Sequence, residues 1–298
     1  MIKVGNAPCS WGVIENVEGE RSGYVRVIDE IAQTGYAGTE LGDWGFMPTD
    51  PEALRKELAG RKLDLMGTWV NVKMNREECY QESLDNALRA ATQLSKVGVK
   101  NSVINLGDEV YLIPERTKNA GRIKPTMGLS KDQWAKFGER CNRLAAEVKK
   151  RTGILTCFHH HIGTWVETPA EIDALMANTD PALIHLCFDT GHCYFGGGDP
   201  ATVLAKYYDR VAHVHFKDCD NKVAEESRKQ GWDAFQSLDH AIFPELGKGN
   251  VDFAGVMKIL KDKKYDGWII VEQDIIPGKG TPKESAQRNR DYIRKLGA

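Results

Sequence analysis

All eight histidines of this 298-residue chain fall between His159 and His240, and the first 158 residues contain none. Six of them sit in three short stretches: Phe158-His159-His160-His161, Phe188-Asp189-Thr190-Gly191-His192 and His213-Val214-His215-Phe216-Lys217-Asp218. A fourth stretch, Val271-Glu272-Gln273-Asp274, adds carboxylates. Imidazole and carboxylate together form a donor set for a divalent metal. Residues two apart on a strand share a face, so His159 and His161 point one way and His160 the other. By the same rule His213, His215 and Lys217 share a side, with Asp218 opposite. If the inward faces carry His159, Asp189, His215 and Glu272, two imidazoles and two carboxylates converge from four consecutive strands. Their charges sum to −2, which neutralises a divalent cation and leaves coordination positions for substrate.

Each residue also has a plainer reading. A single inward histidine is commonly a hydrogen-bonded packing residue, Asp189 beside Thr190-Gly191 can organise a turn, and Lys217 can form a surface ion pair. Glu272 is harder to dismiss, because a carboxylate ending the apolar run Ile269-Ile270-Val271 needs a partner. The four taken jointly favour the metal site. Among weaker candidates, Glu40 ends the second strand and can reach a pocket or a neighbouring loop. Trp11, Trp69 and Trp165 follow the first, third and fifth strands and are candidate pocket walls. Glu167 precedes a helix start and serves it. Cys157 and Cys187 read as core, and no G-x-S-x-G elbow is present.

These side chains need a scaffold of strand ends. Apolar runs read as strands at Lys3–Cys9, Gly38–Leu41, Leu63–Val70, Lys100–Leu106, Ile154–His161, Ile184–Asp189, Val211–Lys217 and Gly267–Glu272. Helical patterns alternate with them at Tyr24–Gln33, Pro51–Leu58, Glu78–Lys96, Lys131–Lys149, Pro169–Met176, Pro200–Tyr207, Phe253–Lys261 and Pro282–Leu296. Asp50-Pro51, Asp199-Pro200, Thr168-Pro169-Ala170-Glu171 and Thr281-Pro282-Lys283-Glu284 supply helix starts, the last two as capping boxes. Gly35, Gly153 and Gly267 release helices into strands. Eight strand–helix units predict an α/β fold, a (β/α)8 TIM barrel in one domain spanning 1–298. The rival, an open doubly wound sheet, lacks a G-x-G-x-x-G after its first strand. Two long connections, Gly107–Ser130 and Cys219–Asn250, follow strand C-termini and are expected to wall or cover a site.

With 42 acidic against 40 basic residues, the chain has no field to attract nucleic acid or an anionic membrane. No signal peptide, bilayer-spanning stretch or C-x-x-C is visible, and seven cysteines do not suggest a disulfide framework. The expectation is a cytoplasmic protein acting on a small molecule, with a homo-oligomer left open.

Asp189-Thr190-Gly191-His192, His213 to Asp218, Leu246-Gly247-Lys248-Gly249-Asn250-Val251-Asp252-Phe253 and Val271 to Asp274 together resemble the xylose-isomerase-like TIM-barrel superfamily, in the right order across essentially the whole chain. Within it, the likeness is greatest to inosose (2-keto-myo-inositol) dehydratases. It is carried by Asn6-Ala7-Pro8-Cys9-Ser10-Trp11-Gly12, Thr39-Glu40-Leu41-Gly42, His161 to Thr168 and Ser285-Ala286-Gln287-Arg288-Asn289-Arg290. The resemblance implies Asp189, His215 and Glu272 as metal ligands. His159 stands where the usual first ligand is a glutamate, which tilts preference from Mg²⁺ toward Mn²⁺, Co²⁺ or Fe²⁺, with Zn²⁺ also accommodated. It implies His161 as a base. Trp11, Glu40, Trp69 and His192 are the candidate substrate contacts, with His192 read as an outer-shell partner ahead of a second-metal ligand. Endonuclease IV, another member, draws zinc-binding histidines from the N-terminal half, where this chain has none.

The expected reaction is dehydration of a cyclic polyol ketone through a metal-stabilised enolate, within inositol catabolism. His161 or Lys217 removes the α-proton and a second group protonates the departing hydroxyl. A sugar isomerase or epimerase shares the first half-reaction and is the alternative; a sugar binder without turnover is disfavoured by the convergent site.

Overall fold

Short runs rich in β-branched and apolar residues, punctuated by capped helices, leave the chain one economical arrangement, in which every strand is buried on both faces. The computed structural model describes residues 2–14, 17, 19, 22–276, 278 and 280–298. Its strands are β1 (Lys3–Asn6), β2 (Gly38–Glu40), β3 (Asp64–Val72), β4 (Val103–Asp108), β5 (Leu155–His159), β6 (Ile184–Asp189), β7 (Val211–Phe216) and β8 (Trp268–Val271). All neighbours pair in parallel, and β8 returns to β1, closing the (β/α)8 TIM barrel that the sequence predicts. Helices between the strands bury one face against the barrel's outside, where Ile104, Leu106, Leu186, Val214 and Ile269 join the main core.

Two expected helices, Tyr24–Gln33 and Pro200–Tyr207, have the expected bounds, and the other six differ by a few residues at their ends. The Asp50 and Asp199 side chains accept from Ala53 N and Thr202 N at 2.8 and 2.7 Å. Thr168 and Glu171 form the expected capping box. Thr281 makes no side-chain cap, so that signal misled. Gly35 and Gly153 take the left-handed φ values of 81° and 73° expected of chain reversals. Gly267 does not; there a Cβ would meet the Tyr265 ring at 2.6 Å, so close packing explains it.

Pro8 turns the chain out of β1 into a 3₁₀ turn (Pro8–Trp11), so the first strand ends at Asn6 instead of Cys9. β5 likewise ends two residues before His161. Four short helices sit in segments read as connections: Pro114–Lys118, Thr190–Phe195, Asn221–Gln230 and Ala234–Asp239. The connection after β4 is tied down by Arg116, fully buried, which clamps both Glu171 oxygens at 2.7 and 2.8 Å and donates to Thr164 O at 2.7 Å. Glu167 does not serve a helix end. Its two oxygens accept from Gly121 N and Gly163 N, each at 2.7 Å, and so join the connections after β4 and β5.

Candidate active site

Strand register brings the reactive residues together. Asp189 pairs directly with His215, and His159 pairs with Cys187, two residues before Asp189 on the same face. Glu272 follows β8 immediately, with its amide donating to Phe216 O at 3.0 Å. Ligand atoms of His159, Asp189, His215 and Glu272 all lie within 4.8 Å of one another. His159 Nε2 is 3.7 Å and His215 Nδ1 3.9 Å from Asp189 Oδ2, and His215 Nδ1 is 3.3 Å from Glu272 Oε1. Four donors about 2.1 Å from a common ion stand roughly 3.4 Å apart at tetrahedral angles, close to these spacings.

Their bonding tests whether a cation fits. His159 Nδ1 and Nε2, Asp189 Oδ2 and His215 Nδ1 are buried and make no hydrogen bond. Buried polar atoms are nearly always paired, and leaving one unpaired costs about 1–3 kcal/mol. Several such atoms converging on one point have the character of a metal-binding set. Asp189 serves two ends. Its Oδ1 caps the helix Thr190–Phe195 by accepting from His192 N at 2.8 Å, while Oδ2 turns to the cluster. The turn-organising reading of Asp189 thus holds for one oxygen only. Cys187 Sγ lies within 4.8 Å of His159 and His215 nitrogens. Burial raises its thiol to about 12, so it stays protonated and fills space as core.

Beside the cluster is a cavity of about 590 Å³ including its mouth, lined among others by Cys9, Trp69, Tyr111, His161, Lys217 and Asp274. The His161 ring is held by edge contacts from Trp69 and Tyr111, at centroid distances of 6.1 and 5.4 Å. Its Nδ1 is 2.7 Å from Ile162 O, a carbonyl that only accepts, so Nδ1 carries the proton and Nε2 the lone pair. Burial, with the neighbouring His159 and Lys217 charges, holds its pKa well below the usual imidazole range. His161 is a neutral imidazole with a bare nitrogen.

Lys217 differs from the sequence reading. It is 1% exposed, and its Nζ donates to Asp274 at 2.8 and 2.9 Å, lies 3.1 Å from Glu272 Oε2 and 3.0 Å from His192 Nε2. Burial opposes its charge, but Asp274, Glu272 and Asp189 outweigh it and raise the pKa well above the ordinary value. The Lys217 ammonium is thus paired with carboxylates, whereas His161 turns an unprotonated nitrogen away from Ile162 O. Gly191 makes room for the lysine stem, since a Cβ there would meet Lys217 Cγ at 2.7 Å.

Of the four residues read as substrate contacts, Trp69 and Glu40 line the cavity. Glu40 also reaches inward, its Oε1 accepting from His213 at 2.7 Å. Trp11 and His192 are not among the residues lining the cavity. Trp11 turns away with the 3₁₀ segment and donates to Glu30 at 2.7 Å, and His192 stands behind His161 with ring centroids 3.8 Å apart. Trp165 is likewise off the cavity lining, donating to Glu109 at 3.4 Å. Sequence reasoning missed Tyr111, Cys9 and Asp274. Tyr111 has a left-handed φ of 60° and a buried, unpaired hydroxyl, in a connection without periodicity. Asp274 was visible only as a carboxylate two residues beyond Glu272.

Gly107 seats the Trp69 wall: a Cβ there would fall 1.7 Å from the indole. Gly107→Ala is expected to displace Trp69 and destabilise the fold by about 1–3 kcal/mol, read by urea unfolding. The loop Leu246–Phe253 is structural, with Asp218 accepting from the amides of Gly247, Gly249 and Val251 at 2.8, 2.9 and 3.1 Å.

Among the described residues, no helix is long and apolar enough to cross a membrane. A family model described as xylose isomerase-like TIM barrel matches residues 28–296. A protein of Salmonella agona named inosose dehydratase is 35% identical over 301 residues, covering 99% of this chain and 96% of its own length. Its namesake in Bacillus licheniformis is 35% identical over 290 residues, covering 97% and 94%. Among solved structures, an L-ribulose 3-epimerase shares the fold at a TM-score of 0.71 and 15% identity, over 99% of this chain and 94% of that one. The chain belongs to the xylose isomerase-like TIM barrel family and, alongside full-length relatives named inosose dehydratase, is an enzyme of the lyase class.

Proposed function

We propose that the protein dehydrates inosose, a cyclic polyol ketone, with a divalent cation held by His159, Asp189, His215 and Glu272. The unpaired buried atoms of that cluster carry the reading. A cation bound there supplies Lewis-acid polarisation of the ketone oxygen. With two imidazoles in the set, Mn²⁺ or Co²⁺ suits it best, ahead of Fe²⁺, Zn²⁺ or Mg²⁺.

The chain's own groups do the rest. His161 Nε2 takes the proton α to the ketone. The Lys217 ammonium places positive charge on the cavity wall, where negative charge develops on the enolate oxygen. The imidazolium formed at His161 is then the acid at hand for the departing β-hydroxyl, which leaves as water. Trp69 and Tyr111 hold the ring of His161 and exclude bulk water from its face. The cytoplasm and inositol catabolism are the setting this reading carries.

The test is an assay of metal-stripped protein with Mn²⁺ or Co²⁺ restored, offered inosose and followed by the absorbance of the dehydrated diketone. Absorbance that rises only with metal supports the reading. Absence of it, with solvent deuterium entering a ketohexose, assigns the site to isomerisation or epimerisation.

A further inference from the structure

Glu40 lies deep in the barrel, 4% exposed, and its position is built for it. Pairing of β2 with β3 shifts register between Thr39 and Glu40, and the facing residue is Gly67. A Cβ on Gly67 would stand 2.6 Å from Glu40 Oε1, so the glycine provides the space that the carboxylate fills. Into that single oxygen run Asn105 Nδ2 at 3.1 Å, His213 Nε2 at 2.7 Å and His215 Nε2 at 3.3 Å. An ionised carboxylate only accepts hydrogen bonds, so both histidines must carry their proton on Nε2.

We infer that Glu40 is the positioning residue that decides which nitrogen His215 presents to the cluster. With Nε2–H committed to Glu40, the bare nitrogen is Nδ1, the atom that faces Asp189 and Glu272. An imidazole free to choose its tautomer would present N–H to the cluster part of the time and its ring would be free to tilt. A carboxylate behind a metal-ligating histidine fixes both, and its loss typically weakens metal binding 10–100-fold. Glu40 therefore acts from beneath the floor through His215, although it also borders the cavity. The inference rests on the metal reading above.

Two variants test it. E40L keeps the approximate volume but removes every acceptor, so nothing holds the Nε2–H of His215. G67A leaves Glu40 in place chemically and pushes its carboxylate away from His215. Zn²⁺ and Co²⁺ affinities are measured by chelator competition on the full chain, with melting of the metal-free protein as a control. Both variants are expected to bind 10–100-fold more weakly, with a lower but still cooperative melting transition of the metal-free protein. In the Zn²⁺-loaded wild type, ¹⁵N-edited histidine spectra are expected to show His215 protonated on Nε2.

A wild type that takes up neither ion overturns the metal reading and this inference with it. Binding in the wild type, with either variant folded and binding equally well, overturns the role of Glu40 alone. So does a His215 proton found on Nδ1, which decides the matter even if neither variant folds.

Discussion

Replacing His161 by glutamine is expected to lower kcat for dehydration about 10²–10⁴-fold, the usual contribution of a positioned base. The substitution keeps a hydrogen-bonding side chain of similar reach and removes the imidazole proposed as the base. Three features single out this imidazole among the buried histidines. Its Nδ1 proton is committed to Ile162 O at 2.7 Å, leaving Nε2 bare. Burial keeps it uncharged. Its ring lines the cavity beside the cluster without belonging to the set His159, Asp189, His215 and Glu272. Metal affinity is therefore expected to stay within a few-fold of wild type. Steady-state kinetics and chelator competition on one preparation check both halves. A variant that retained full kcat would remove His161 from the reaction.

The second large effect is structural. Lys217→Met is expected to destabilise the protein by about 3–5 kcal/mol, since it strands Asp274 and Glu272 without their buried counter-charge. In a chain of this size that corresponds to a fall in Tm on the order of 10 °C. Asp274→Asn in the same chain takes away one stranded charge, and the double variant is expected to recover more than half of the loss. Activity is not expected to recover, because the positive charge on the cavity wall is gone in both. Urea unfolding of the single and double variants decides this. A lysine variant as stable as wild type would mean that the ion pairs contribute nothing net.

Parity made the cluster legible, and it worked where strands run. His159, Asp189 and His215 lie at the ends of β5, β6 and β7, and Glu272 follows β8 directly, so period-two alternation still governs where they point. It failed where the backbone leaves the extended region. Trp11 ends a proline-led 3₁₀ turn, and the rotation there carries its indole out to Glu30. Tyr111 owes its place to left-handed backbone at Glu109 and Tyr111, for which no side-chain pattern codes. The charge state of Lys217 was hidden for another reason. Asp274 and Glu272, which fix it, lie 57 and 55 residues away in sequence, and only closure of the barrel brings them to its Nζ. The fold itself was readable because each strand–helix unit repeats the same two periodicities.

Asp189 gives one oxygen to the amide of His192 and the other to the cluster. Selection acting on a lineage therefore sees this carboxylate twice, once as a support of the helix and once as a chemical group. A descendant that abandoned the reaction would still be penalised for losing it. The Asp-Thr-Gly signature can thus outlive the activity, and its presence in a distant cousin is a record of ancestry more than of chemistry. His159 has no such second employment, since its ring nitrogens bond to nothing else among the described residues. Drift at that position is where an abandoned function would first be written.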